Sequence, residues 1–169
     1  ETNNSYKNDW YKPGRPIIIL IWMLVSAVLF RTSLPVPIKI KVFFLRLFGA
    51  NVGNGVVIKP NVNIKYPWKL AIGDYTWIGE SVWIDNLDSV FIGSNCCLSQ
   101  GCYLLTGNHD YTVTTFDLMI SKIVMKDGAW IGAKAVVCPG VTVQSGAILT
   151  VNSVITKDMD ELGIYQGNR

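Results

Sequence analysis

The sequence predicts a mainly β protein, a parallel β-helix wound from hexapeptides behind a short helical N-terminal segment. Three observations carry that prediction. An aliphatic residue returns every six positions at Val52, Ile58, Ile64, then Ile72, Ile78, Ile84, then Ile92, Leu98, Leu104, and later at Met125, Ile131, Val137, Val143, Leu149 and Ile155. Gly53, Gly73, Gly79, Gly93 and Gly132 directly follow five of these residues. Small residues (Ala129, Ala135, Ala147, Ser153) fill the fifth place of the later hexads, and one large plus one small inward residue per side is what a narrow triangular core can hold.

Taken in chain order, residues 1–48 form an apolar, helical N-terminal segment, and residues 49–169 form the β-helix with an extruded loop at 105–124. The chain opens on Glu1 rather than Met, which points to sequence upstream. Ile17 to Phe30 (IIILIWMLVSAVLF) is the strongest apolar stretch. A spanning helix needs about 20 apolar residues, so this run is too short to cross a bilayer. No A-x-A-like site follows it to mark a secretory signal. The favoured reading is a helix packed on the solenoid or between subunits; the alternative is peripheral membrane contact through 17–30.

Pro35 and Pro37 break the chain. The segment 38–48 then carries apolar residues at helical spacing (Ile40, Phe43, Phe44, Leu47), with Lys39, Lys41 and Arg46 between them. It is expected to cap the first coil, as residues 158–169 cap the last, because an open solenoid end exposes strand edges and core.

Three hexads make one triangular coil of nominally eighteen residues. In the first half, however, Val52, Ile72 and Ile92 fall twenty apart, as do Ile58, Ile78, Leu98 and Ile64, Ile84, Leu104. The two extra residues recur at one corner, within 65–71 and 85–91, and in the third coil that corner becomes the excursion 105–124. All three insertions therefore stack on one edge of the prism.

Composition narrows the function classes. With 169 residues, 50% hydrophobic and 16% charged, the chain can bury one sizeable core. A net charge of +3 and no Lys/Arg run exclude a phosphate-tracking stripe, so no nucleic-acid partner is expected. Cys96, Cys97, Cys102 and Cys138 have neither CxxC spacing nor histidine company, so neither a zinc site nor a disulfide framework is expected. Cys96 and Cys102 occupy fifth places of hexads, as small hydrophobes would. The setting is expected to be reducing and cytoplasmic, at most peripheral to the inner membrane.

The single histidine, His109, lies in Thr106-Gly107-Asn108-His109-Asp110-Tyr111 on the one long excursion. A lone histidine is usually a solvated side chain, but loops raised from rigid scaffolds concentrate catalytic groups, and a neutral imidazole suits proton removal from a hydroxyl. The twenty-residue register puts Asp85, Asn86 and Asp88 one coil below Leu105, Thr106 and Asn108, where they could orient His109 or bind a polyol acceptor; as ordinary corner residues they could equally serve the turn. Glu80 sits at a different corner and could join such a site only across a subunit boundary.

The hexad run, the TGNHDY loop and the stretch Lys126 to Asp158 (KDGAWIGAKAVVCPGVTVQSGAILTVNSVITKD) resemble the left-handed β-helix acyltransferases of the hexapeptide-repeat family. LRLFGANVG (Leu45 to Gly53), YPWKLAIGD (Tyr66 to Asp74), WIGE (Trp77 to Glu80) and LSQG (Leu98 to Gly101) are similar to the colanic acid biosynthesis acetyltransferases, relatives of the nodulation, maltose and galactoside O-acetyltransferases. The resemblance covers nearly the whole chain. It implies a homotrimer with acetyl-CoA between neighbouring β-helices, and acetyl transfer to a sugar hydroxyl. It further implies His109 as the base, Trp130 beside the pantetheine arm, Gly132 and Ala133 near the thioester, and Val151, Thr156 and Lys157 along the rest of the cofactor. Trp130 could otherwise bury area on a trimer face, and Lys157 could be a solvated charge. The chain departs from the family pattern at Ser121-Lys122, where a proline is common, at Val151, where alanine is common, and at Gly167-Asn168-Arg169, where relatives continue Asn-Pro-Ala.

The expected activity is direct acetyl transfer from acetyl-CoA to a sugar or polysaccharide precursor in a ternary complex, with no covalent intermediate on the cysteines. A xenobiotic (antibiotic) acetyltransferase and a non-catalytic trimeric scaffold are the alternatives. A zinc enzyme of the same fold would need three histidines, and the chain has one, so no metal is expected.

Overall fold

Strands of two or three residues recur at the six-residue beat and stack as three parallel sheets, one per face of a prism. The computed structural model of the protein describes residues 8–168; residues 1–7 and Arg169 lie outside the described chain. The first face comprises Asn51–Val52, Leu70–Ile72, Val90–Ile92, Ile123–Met125 and Thr142–Val143. Val57–Ile58, Trp77–Ile78, Cys97–Leu98, Trp130–Ile131, Ile148–Leu149 and Ile164–Tyr165 make the second. Asn63–Ile64, Trp83–Asp85, Tyr103–Leu105, Val136–Val137 and Val154–Ile155 make the third. The twenty-residue register holds: Ile72 pairs with Val52 and Ile92, Ile78 with Ile58 and Leu98, and Ile84 with Ile64 and Leu104. Met125 then pairs back to Ile92 and forward to Val143, where the plain eighteen-residue coil begins.

The aliphatic beat fills the core. Ile58, Ile78, Leu98, Ile131 and Leu149 form one buried column, with the smaller Cys96, Ala129 and Ala147 between columns. A fully buried aliphatic side chain stabilises by about 1.5–3 kcal/mol, so the inward column is the main source of cohesion. Burial also raises the Cys96 thiol above its ordinary range and pushes Cys102 up to about 12, which leaves both as small hydrophobes.

Two turn requirements repeat with the beat. Three residues after most of the inward aliphatics the backbone is left-handed, at Gly55, Asn61, Tyr75, Ser81, Asn95, Gly101, Gly128, Lys134, Gly140, Gly146 and Asn152, with φ between 55° and 86°. Glycine and asparagine adopt that conformation most cheaply, which explains eight of the eleven identities. The glycines directly after the aliphatic answer a different need, close stacking. A Cβ on Gly73 would lie 2.6 Å from the carbonyl carbon of Gly93, and one on Gly132 would lie 2.6 Å from the backbone nitrogen of Val151.

Two helices precede the coils, α1 (Pro16–Leu29) and α2 (Ile38–Leu47). Pro16 stands at the start of α1, and Gly49 at φ 88° closes α2 with its N–H on the Arg46 carbonyl, while the Ala50 N–H reaches Leu45. The helical segment does cap the first coil, but through a different face of α2 than its apolar spacing suggests. Lys41 and Leu45 are buried, while Ile40, Phe43 and Leu47 face outward. The reason is the open coil edge, whose carbonyls need donors. Lys41 Nζ donates to the carbonyls of Ile58 (3.4 Å) and Lys59 (2.9 Å), and the Arg46 guanidinium donates to Val52 (2.6 Å) and Gly53 (3.1 Å). Burial lowers the Lys41 pKa. α1 packs on the third face through buried Trp22, whose indole N–H donates to the Ile64 carbonyl at 2.9 Å and whose ring meets Phe30 and Phe48. At the far end Met159 is buried, and Ile164–Tyr165 pairs with Ile148–Leu149. No helix among the described residues is long and apolar enough to cross a membrane.

Candidate active site

The chain leaves the third face after Leu105 and rejoins the first at Ile123; between them it forms an antiparallel hairpin rather than an irregular loop. Gly107, Asn108 and His109 pair with Ile120, Met119 and Leu118. The hairpin is clamped at its root to the corner one coil below. Thr106 is fully buried, its hydroxyl donating to the Asp85 carbonyl (2.8 Å) and accepting from the Asp88 N–H (3.0 Å). Gly107 lies so close over Leu87 that a Cβ would sit 2.3 Å from its side chain.

At the end of the first hairpin strand His109 is half-buried, its Nδ1 2.9 Å from the main-chain carbonyl of Phe116. A carbonyl can only accept, so Nδ1 carries a hydrogen, and in the neutral ring Nε2 is then the basic nitrogen. The Phe116 ring also stacks on the imidazole, centroids 4.4 Å apart and planes 4° from parallel. Phe116 has a left-handed backbone (φ 50°), a conformation that costs a bulky residue about 1–3 kcal/mol and collects at functional sites. Asp110 shapes the tip, its carboxylate accepting from the Thr112 N–H (2.9 Å) and hydroxyl (2.5 Å). Phe116 was not legible as a functional residue, because neither hairpin pairing nor a positive φ at phenylalanine shows in the sequence. Its carbonyl and its ring both hold the imidazole in place. Phe116→Ala keeps the carbonyl and removes the ring contact, so kcat should fall about 2- to 10-fold, matching a ring pair of ~0.5–1.5 kcal/mol. KM for the donor should hold and Phe116→Tyr should recover the rate, which steady-state kinetics would check.

The corner residues Asp85, Asn86 and Asp88 lie beneath the hairpin, as the register implies, with different local duties. Asn86 is fully buried and clamps both backbone groups of Tyr66, accepting from its N–H (3.0 Å) and donating to its carbonyl (2.6 Å). Asp88 accepts from the Ser89 N–H at 2.6 Å. Asp85 pairs with Lys65 at 2.9 Å and accepts from the Tyr103 hydroxyl at 3.2 Å. Burial, reinforced by Asp85, holds the Tyr103 phenol well above its ordinary pKa, so it stays a donor. Two further residues reach this edge without having been singled out in the sequence. The Tyr11 hydroxyl donates to the Leu87 carbonyl at 2.9 Å, and Lys69, its pKa lowered by burial, donates to the same carbonyl with its ammonium 4.8 Å from the Tyr11 ring centre.

The remaining candidates divide between two edges. Thr156 and Lys157 follow the third-face strand Val154–Ile155, on the hairpin's own edge and two coils further along, and both are exposed. Glu80, Gly132, Ala133 and Val151 instead occupy the edge between the second and third faces, stacked as the Asn152 N–H reaches the Ala133 carbonyl (2.8 Å). Trp130 is 47% exposed on the adjoining second face, its indole N–H donating to the Ser99 hydroxyl at 2.8 Å. Ser99 and Glu80 in turn line a hollow of about 330 Å³ with Lys59 and Trp77. The whole third face separates the Trp130 and Glu80 group from His109 within one chain. Among the described residues no group of three His, Cys, Asp or Glu side chains could hold a metal ion.

No protein-family model matches the chain. WcaF of Escherichia coli (strain K12), assigned as a colanic acid biosynthesis acetyltransferase, is 37% identical over 158 residues, covering 94% of this chain and 87% of that protein. Galactoside O-acetyltransferase of Escherichia coli (strain K12) is 25% identical over 133 residues, 77% of this chain and 66% of the relative. Among solved structures, a hexapeptide-repeat acetyltransferase of Vibrio cholerae complexed with acetyl coenzyme A shares the fold, with TM-score 0.73 at 20% identity over 80% of this chain and 75% of that one. Identity above one third along almost the entire length, on a solenoid of stacked hexapeptide coils, places this chain in the hexapeptide-repeat acetyltransferase family.

Proposed function

We propose that the protein is an acetyl-CoA-dependent O-acetyltransferase acting on a sugar or polysaccharide precursor, with His109 as general base. The observation that carries the reading is the imidazole held by the Phe116 carbonyl in the tautomer that leaves Nε2 able to take a proton. The colanic acid and galactoside names of the two relatives support a sugar hydroxyl as acceptor.

Nε2 of His109 takes the proton from the acceptor hydroxyl as that oxygen bonds to the thioester carbonyl carbon. A main-chain N–H at the coil edge steadies the oxyanion. When the C–S bond breaks, the imidazolium returns its proton to the departing thiolate, giving free CoA and the acetyl ester. Alignment of the two substrates supplies much of the remaining acceleration. The separation of the Trp130 edge from the His109 edge supports a homotrimeric arrangement in which one subunit brings the base and its neighbour brings Trp130, Gly132, Ala133 and Val151. Thr156 and Lys157, on the hairpin edge, would then meet the distal part of the donor from the subunit that supplies His109.

A thiol-release assay with acetyl-CoA across sugars, nucleotide sugars and antibiotics tests the reading. Acceptor-dependent release with a sugar is expected, as is a rise of about 5- to 30-fold in acetyl-CoA KM for Trp130→Ala from loss of about 1–2 kcal/mol of aromatic contact. Release only with an antibiotic would move the acceptor class, and absence of acetyl-CoA binding by calorimetry would leave a scaffold.

A further inference from the structure

We infer that the α1–α2 end of the β-helix is a docking surface for an anionic lipid bilayer. The inference goes beyond acetyl transfer, and its test does not use activity.

α1 is apolar all round, yet it buries only Trp22 and Ser26 against the solenoid. A soluble helix with a single buried stripe ordinarily turns polar residues outward. Here the outward line is Ile17, Leu20, Leu24 and Val28, between 53% and 66% exposed, at the i, i+3, i+7, i+11 spacing of one face. α2 adds Phe43 and Leu47, 60% and 64% exposed, because Lys41 and Arg46 are turned inward to the coil-edge carbonyls. An apolar surface of this extent on two consecutive helices marks an interaction site.

Charge identifies the occupant. From Trp10 to Gly73 the chain has nine Lys and Arg and no Asp or Glu, whereas from Asp74 onward it has ten acidic residues and five basic. The basic half of the molecule is therefore the half that bears the apolar helices. Lys41, Arg46 and Lys65 are committed to backbone carbonyls or to Asp85. Arg15 before α1, Arg31 after it and Lys39 on α2 are exposed and flank the two apolar helices in sequence. A second copy laid on this surface by twofold symmetry would bring these cations against one another, with Asp9 the one exposed acidic residue among the described residues before Asp74 to answer them. An anionic headgroup layer answers them, and the acyl boundary takes the apolar side chains. At 14 residues, α1 is about 21 Å long, short of the hydrocarbon thickness of about 30 Å, so it lies in the surface rather than crossing.

The full chain is centrifuged with vesicles of phosphatidylcholine alone and with vesicles containing phosphatidylglycerol. Binding to the anionic vesicles is expected to be about ten-fold stronger or more, as several surface cations would give. The exposed pair Leu24→Glu/Val28→Glu should reduce binding to both compositions, whereas Arg15→Glu/Arg31→Glu should abolish the preference for phosphatidylglycerol. Far-UV circular dichroism of both variants should match the wild type, since the altered side chains are exposed. Wild-type protein left in the supernatant with both compositions overturns the proposal. Loss of self-association in Leu24→Glu/Val28→Glu, with no vesicle binding by the wild type, overturns it in favour of a second copy.

Discussion

Replacing His109 with alanine is expected to lower kcat for acetyl transfer by about 10²- to 10⁴-fold, the usual contribution of a positioned general base. The acetyl-CoA KM should change little, because the donor is proposed to be held chiefly by Trp130, Gly132, Ala133 and Val151 of the neighbouring subunit, and the base acts on the acceptor hydroxyl. The melting temperature should also hold, since His109 is on a hairpin outside the coil core. His109→Gln is the informative companion. Its amide can still occupy the space and donate a hydrogen bond, but it cannot take a proton, so a rate as low as that of alanine assigns the loss to base chemistry. Near-normal transfer by either variant would remove His109 from the reaction, and a parallel fall in melting temperature would make its role structural. Steady-state kinetics and a thermal melt on the same preparations separate these outcomes.

The architecture was legible because its causes are periodic. The aliphatic beat, the twenty-residue spacing and the corner that grows into the 106–122 hairpin all follow from which side chains must face a narrow core, and the strand registers of Ile72, Ile78 and Ile84 reproduce them. Two features hid behind the same letters. The sequence offers one pattern of glycines, yet Gly73 and Gly132 serve coil stacking, whereas Gly55 and Gly101 serve a left-handed turn, a position that Tyr75, Ser81 and Lys134 also fill. In α2 the apolar spacing points to the wrong inward face, because a coil's open edge needs donors more than it needs grease: Lys41 goes in and Phe43 stays out. At the site, His109 stood out as the one histidine on the one excursion. Its partner Phe116 did not, since its carbonyl and backbone conformation do not depend on its letter, and the stacking of its ring on the imidazole depends on a hairpin pairing that the sequence does not display. Asn86 likewise reads as a polar site residue, while its side chain is spent on the backbone of Tyr66.

Gly132 offers the second large effect, and there the structure supplies a reason for the glycine that the cofactor reading does not. Its N–H donates to the Leu149 carbonyl at 2.7 Å, and the next coil passes so close that an added Cβ would lie 2.6 Å from Val151 N, 2.7 Å from Thr150 C and 2.8 Å from Leu149 O. All three are backbone atoms held in a sheet, so none can rotate aside as a flexible side chain would. Gly132→Ala should therefore cost about 3 kcal/mol, the upper end for one methyl forced into a packed interior. For a domain of this size that corresponds to about 6–12 °C in melting temperature. Ala133→Ser, one residue along the same edge, should leave the melt within a degree or two, about the shift from the usual ±0.5 kcal/mol of a surface change. If Gly132→Ala instead melts normally and raises only the acetyl-CoA KM, the glycine is there to admit the donor. If it melts early with an unchanged KM, stacking alone fixes its identity, and the WIGA stretch owes its glycine to the coil rather than to the cofactor.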